Sequence, residues 1–239
     1  MHFNIITLFP EMFPGVNGFA LAGKALEKGL WSFEAINPRS FTHDVHNSVD
    51  DTPYGGGAGM VLKPDILAKS VDYAIEKYGN LGVAIYLSPR GVSLNQSFID
   101  NLISKPSTIN HQHITILCGR YEGVDQRLLD KYGFQEVSIG DYILSGGEIA
   151  AGVLIDACVR KLNGVIGNQN THDEESFSLP ESEFLLEYPH YTRPDIWQGI
   201  QVPEVLKSGN HKEIRKWRLE QAEKITQKNR PDLWLKYKG

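Results

Sequence analysis

Two kinds of segment alternate along the chain. Short, near-continuous apolar runs recur at residues 3–9, stopped by Pro10, at 81–87 (LGVAIYL), at 114–118 and briefly at 137–139. Runs of this kind fit strands buried on both faces, as in a parallel sheet. Between them lie stretches whose apolar residues recur at helical spacing. Residues 20–30 are weakly helical. Residues 63–78 place Ile66, Leu67, Val71, Ala74, Ile75 and Tyr78 near one face, with Gly79 just past the end. Residues 94–104 carry Phe98, Ile99 and Leu102, and 125–132 form a short helix ending at Gly133. Residues 147–162 predict a long helix with Ile149, Val153, Leu154, Ala157 and Cys158 turned inward. This order predicts an α/β domain with a largely parallel sheet.

The pattern then changes. Residues 163–187 have no period, and 168–176 (NQNTHDEES) are almost wholly polar, which reads as a linker or a functional loop. Asn210 and Glu213 stand at capping-box spacing and open a helix carrying Ile214, Trp217, Ala222 and Ile225. The expected organisation is a main domain at 1–162, a linker at 163–179 and a small helical domain at 180–239. Internal repeats and low-complexity tracts are absent from the sequence.

Composition narrows the class. With 239 residues, 41% of them hydrophobic and 22% charged, the chain reads as an ordinary globular protein. No apolar run nears the roughly 18 residues a membrane helix needs, so no membrane partner is expected. The N-terminus lacks the basic start and cleavage site of a signal peptide. Cys118 and Cys158 are the two cysteines and form no C-x-x-C, which excludes a disulfide scaffold or a cysteine zinc cluster and fits a reducing, cytoplasmic setting. From Lys207 onward ten basic residues face four acidic ones, a local +6, so with a net charge of −5 the remainder carries −11. The overall charge argues against nucleic acid; the local stripe argues for it, or else is a solvated helix face.

Candidate chemistry gathers at glycines. Residues 53–59 (PYGGGAG) contain G-x-G-x-G, but the polar, proline-broken residues before them do not supply the buried strand that a dinucleotide-binding loop must follow. A flexible turn, or a segment where backbone approaches a bulky ligand, are the other readings. Three later loops, at 87–91 (LSPRG), 119–123 (GRYEG) and 138–148 (SIGDYILSGGE), each leave the carboxyl end of a predicted strand, where ligands bind in open α/β sheets. Together they predict a pocket walled by backbone N–H and C=O groups, suited to an adenine or a ribose, without the lysine cluster a triphosphate needs. His43 and His46 lack the third ligand of a zinc site, and no G-x-S-x-G marks a nucleophilic serine.

With these loops in hand, the chain closely resembles the bacterial tRNA (guanine-N1)-methyltransferase family, which belongs to the trefoil-knotted SPOUT methyltransferases. The matching blocks are LFPEMF at 8–13, FTHD at 41–44, PYGGG at 53–57, YLSP at 86–89, CGRYEG at 118–123, residues 138–148, PHYTRP at 189–194 and LKSGNH at 206–211. They cover nearly the whole chain. The resemblance implies a deep knot toward the end of the N-terminal domain, a rare exception to unknotted connections. It implies methyl transfer from S-adenosylmethionine to N1 of the guanine at tRNA position 37. It implies a homodimer with sites at the subunit interface, and the anticodon stem-loop of tRNA as partner. Cofactor contacts carry over onto Tyr86, Leu87, Ser88, Pro89, Gly91, Gly119, Ile139, Gly140, Asp141, Tyr142, Ile143 and Leu144. Glu122 corresponds to a carboxylate near the target base and is a candidate Mg²⁺ ligand. Arg160 corresponds to an arginine that faces the base's O6 from the partner subunit. Lys212 and Arg215, in the basic stripe, are the expected contacts to tRNA phosphates.

Three departures stand out. The family usually has Gln where Arg90 stands and an acid where Gln126 stands, and its Asp-Ser-Phe is here Glu175-Ser176-Phe177. By alignment Glu175 takes the position of the catalytic base; Asp173 is the rival and Glu174 a third choice. Two other functions stay open on sequence: a knotted methyltransferase acting on ribose or ribosomal RNA, and a non-catalytic RNA-binding module. An acid in the linker and the helical C-terminal domain favour the guanine-directed enzyme.

Overall fold

The computed structural model describes residues 1–104, 113–167, 175–179 and 181–239. The chain forms two compact units, Met1–Ile166 and Gly167–Gly239. In the first unit the elements run β1 (His2–Ile6), α1 (Ala20–Glu27), β2 (Ser32–Ile36), β3 (Asp50–Asp51), β4 (Val61–Leu62), α2 (Pro64–Tyr78), β5 (Val83–Ser93), α3 (Gln96–Ser104), β6 (His113–Cys118), α4 (Gln126–Tyr132), β7 (Gln135–Ser138) and α5 (Gly147–Val159). Five strands form one sheet in the order β2-β1-β6-β5-β7, and every pairing in it is parallel.

The apolar runs explain this sheet. All of β6 is buried, and successive side chains enter opposite cores. Ile5, Ile85, Leu87, Ile114 and Ile116 pack with Trp31 and with Leu154 of α5. Ile6, Tyr86 and Leu117 pack on the other face with Leu67 of α2 and Leu128 of α4. Helices therefore cover both faces, and each buried Leu or Ile contributes about 1.5–3 kcal/mol relative to exposure. The caps follow the sequence too. Helix α2 starts at Pro64 and ends on Gly79 in the left-handed conformation. The Asp125 side chain accepts the Arg127 N–H at the start of α4, which ends on Gly133.

Four features differ from the sequence expectation. Strand β1 stops at Ile6 rather than at residue 9, because the Thr7 hydroxyl turns to Glu148 and Pro10 opens a single 3₁₀ turn. Strand β2 was not expected; it lies at the sheet edge, and only Ile36 in it is fully buried. Strand β5 does not end at residue 87. It continues to Ser93 through a bulge, so that Leu87 and Val92 both pair with Val137. Gly91 lies so close to the backbone of Glu136 and Val137 that a Cβ there would collide with it. In α5, Ile149 and Val153, expected inward, are 59% and 45% exposed. The helix is apolar nearly all round, and Ala151, Leu154, Ile155 and Cys158 take the core face.

In the second unit, β8 (Ile196–Trp197) and β9 (Ile200–Gln201) form a small antiparallel hairpin, followed by α6 (Glu204–Lys207), α7 (His211–Asn229) and α8 (Pro231–Lys238). The Asn210 side chain accepts the Glu213 N–H, as the capping-box spacing predicts. Leu179, Leu185 and Ala222 form a small core flanked by Leu219 and Tyr237. Among the described residues no helix is long and apolar enough to cross a membrane.

Candidate active site

The β5 bulge, the turn after β6 and the segment between β7 and α5 enclose a cavity of about 390 Å³ at the carboxyl ends of these strands. The residues singled out from sequence divide as follows. Tyr86, Leu87, Ser88 and Pro89 line the cavity from the bulge, Gly119 from the turn, and Ile139, Gly140, Tyr142, Ile143 and Leu144 from the segment after β7. Gly91 and Asp141 do not line it; Gly91 is spent on backbone packing against β7. Arg120, Tyr121, Ser145, Gly146, Gly147 and Ala150 line it as well, though none was singled out from the sequence as a contact. All but Ala150 sit inside the three glycine-bearing loops, so the register of those loops was the available signal.

The walls are suited to a polar ligand held by hydrogen bonds. Burial pushes the Tyr86 phenol above its ordinary range, so it stays protonated. Gly119 makes room for that hydroxyl: a Cβ would stand 2.7 Å from it. The Ser88 hydroxyl accepts the Arg90 N–H at 3.2 Å. The Arg90 side chain is tied at the rim to Glu136 at 3.1 Å and Gln126 at 3.3 Å. No lysine lines the cavity. This is a donor and acceptor set that fits the nucleoside and amino-acid parts of S-adenosylmethionine, and the glycines leave the backbone accessible to it.

Glu122 lines the same cavity. Its N–H donates to the Met60 carbonyl at 3.0 Å, and its Oε1 lies only 2.5 Å from where a Cβ on Gly59 would be. The glycine-rich segment is thus the loop of the β3–β4 hairpin, packed against a carboxylate. It does not join a strand to a helix, which removes the dinucleotide-loop reading. Among the described residues no group of three or more His, Cys, Asp or Glu side chains could hold a metal ion. Glu122, His43 and His46 therefore stand in no such group among the described residues.

Other expected residues lie elsewhere. Arg160 caps the C-terminus of α5 and does not line the loop cavity. It borders an apolar hollow formed with residues 12–22 and the outer face of α5. There Val16, Phe19, Ile149 and Val153 are exposed. Glu175 is half-buried, and its carbonyl accepts the Ser178 N–H at 3.1 Å. Asp173, with Glu174, lies outside the described residues. On α7, Lys212 is exposed, whereas Arg215 pairs with Glu181 at 3.0 Å. The Arg218 guanidinium stands 4.6 Å from the centre of the Tyr188 ring.

A cavity of this size at the ends of parallel strands, walled mostly by backbone and uncharged side chains with Arg90, Arg120 and Glu122 among them, marks an α/β protein suited to a nucleoside-like ligand. The family model described as tRNA (Guanine-1)-methyltransferase TrmD matches residues 1–236. The chain belongs to that family, whose fold is the knotted SPOUT form. Among its curated relatives, a tRNA (guanine-N(1)-)-methyltransferase of Rhodospirillum rubrum is 54% identical over 234 residues, 98% of this chain and 92% of the relative. One from Wolbachia pipientis wMel is 53% identical over 235 residues, 98% of this chain and 96% of the relative. One from Mesorhizobium japonicum is 54% identical over 230 residues, 96% and 94% respectively.

Proposed function

We propose that the protein transfers the methyl group of S-adenosylmethionine to N1 of a guanine in tRNA, and that this guanine stands at position 37, beside the anticodon. One observation carries the reading: the backbone-walled cavity, with Glu122 in its lining, is built from the motif loops of a chain that matches the family over residues 1–236. The residues from Tyr86 to Pro89, with Gly119 and the segment around Gly140, would hold the donor. When bound, S-adenosylmethionine supplies an electrophilic methyl group and leaves as a neutral thioether.

The protein's own task is the acceptor. Guanine N1 carries a proton and is a poor nucleophile until it is lost. Glu175 takes that proton as a general base. Negative charge then grows on O6, and Arg160, supplied by the neighbouring subunit, stabilises it. Glu122 offers a second carboxylate to the base. Glu122 is also the residue read as the Mg²⁺ ligand, and no step is routed through the ion.

A homodimer is part of this reading. The exposed apolar side chains of residues 16–21 and of α5 border Arg160, and a second copy covering them would carry Arg160 toward the opposite site. The active species is expected to sediment as a dimer at assay concentration; a catalytically active monomer would overturn the shared site.

Residues 180–239 are read as a tRNA-binding domain and 163–179 as the linker carrying the base. Lys212 and Lys216 stand exposed on α7 and are suited to phosphates. Charge reversal at Lys212, Arg215 and Lys216 together is expected to weaken tRNA binding and flatten its salt dependence, with cofactor affinity intact. Filter binding across a salt series checks this, and unchanged tRNA affinity would return the stripe to a solvated face. A tRNA substrate and the free thiols of Cys118 and Cys158 support a cytoplasmic location. The function itself is tested by incubation with methyl-labelled donor and tRNA, followed by nucleoside analysis. The expected product is 1-methylguanosine; a 2′-O-methyl nucleoside would favour the ribose-directed alternative, and no transfer the non-catalytic one.

A further inference from the structure

We propose that Arg120 is a positioning residue for the methyl donor, aimed and held by a buried network of Glu148 and Thr7 behind the cavity wall. The inference rests on the reading of the cavity as the donor site.

Arg120 lines the cavity on one side and reaches away from it on the other. Its Nε lies 3.0 Å from Glu148 Oε2, in a pair whose carboxylate side chain is only 1% exposed. The other carboxylate oxygen, Oε1, accepts the Thr7 hydroxyl at 2.8 Å, and that hydroxyl accepts the Phe9 N–H at 3.0 Å. The guanidinium then makes three further contacts. Nη1 donates to the Ser145 carbonyl at 3.2 Å, Nη2 reaches Met12 Sδ at 3.7 Å, and the group stands 4.4 Å from the centre of the Phe9 ring. The backbones of Arg120 and Gly146 form a bridge, and the Gly147 N–H donates to the Gly119 carbonyl at 2.9 Å. Gly146 has to lack a side chain, since a Cβ there would run into both the Arg120 and Glu148 side chains.

One guanidinium therefore ties together two of the three segments that wall the cavity, the turn after β6 and the segment before α5. Stability alone is a weak reason to bury such a pair, because a well-packed apolar pair stabilises a core as well or better. What an arginine adds is a planar fork with several donors in fixed directions. Here the fork sets the place of the Ser145 carbonyl, and with it the backbone of residues 144–147 that line the cavity. Thr7 sets the carboxylate, and the carboxylate holds the guanidinium by charge, since Nε and Oε2 stand 3.0 Å apart without hydrogen-bond alignment.

Thr7 does not line the cavity, so its variants leave the cavity atoms unchanged. Thr7→Val keeps the shape and removes the hydroxyl, and Thr7→Ser keeps the hydroxyl. Calorimetric titration with S-adenosylmethionine and with S-adenosylhomocysteine is expected to give Kd values raised roughly tenfold in Thr7→Val, the scale of one hydrogen bond to a buried charge. Thr7→Ser is expected to bind as the unaltered protein does. The KM for the donor should rise in parallel, with kcat at saturating donor and KM for tRNA unchanged. Glu148→Gln, which turns an amide toward Arg120, is expected to weaken donor binding further. If Glu148→Gln does not fold, the Thr7 pair decides alone. Folded Thr7→Val with the original Kd, or a loss that Thr7→Ser fails to restore, overturns the proposal. An unaltered protein that binds no donor overturns the reading of the cavity itself.

Discussion

Replacing Glu175 by Gln is expected to lower turnover on tRNA by roughly 10²–10⁴-fold, the range for removal of a general base, with cofactor affinity nearly constant. The amide keeps the size and polarity of the side chain and loses only its ability to take a proton. Glu is one methylene longer than the family's Asp, about 1.5 Å of extra reach on the scale of a C–C bond. A loop can absorb that shift. The matched measurement is Asp173→Asn. If Glu175→Gln keeps most activity and Asp173→Asn abolishes it, the base is Asp173 and the alignment slips by two residues in this loop.

Arg160→Ala should cost roughly 10²–10³-fold in kcat, the scale of one preorganised group stabilising a developing oxyanion. A positive charge that merely complements the end of α5 would contribute about 0.3–1 kcal/mol to stability and nothing to kcat. Its place beside the exposed apolar face, rather than in the cavity of its own subunit, gives a sharper test. Gly119→Leu would fill the donor cavity, since even a Cβ there stands 2.7 Å from the Tyr86 hydroxyl. Co-expressed with differently tagged Arg160→Ala chains, it should give heterodimers with one complete site, and activity well above either parent. Heterodimers as inactive as both parents would place Arg160 in its own subunit's site.

Much of the fold was legible because its signals are local. The runs at 84–87 and 114–118 are buried on both faces, and only Thr115 interrupts them with a polar side chain. Gly79 and Gly133 mark helix ends by taking the left-handed conformation, and Asp125 and Asn210 mark helix starts by accepting a backbone N–H within a turn. The misses have equally physical causes. Strand β2 is a half-buried edge strand with little apolar signal. The bulge in β5 is invisible without its partner, since a proline and a glycine after an apolar run read first as a loop. Helix α5 is apolar almost all round, so no periodicity tells its core face from the face bearing Ile149 and Val153. At the site, the three loops were legible as a set because each follows a strand. The pairing of Arg120 with Glu148 and Thr7 was not, because it joins residues that only the folded sheet brings together.

The central claim, methyl transfer to N1 of the guanine at position 37, is tested most directly with two tRNA transcripts that differ only there. Each is incubated with labelled S-adenosylmethionine and the purified full-length protein, and the modified nucleoside is identified by mass. The transcript with guanine at 37 should acquire one label per molecule, as 1-methylguanosine, and the transcript with adenine at 37 should acquire none. Equal labelling of both transcripts, or label on a ribose, would contradict the account.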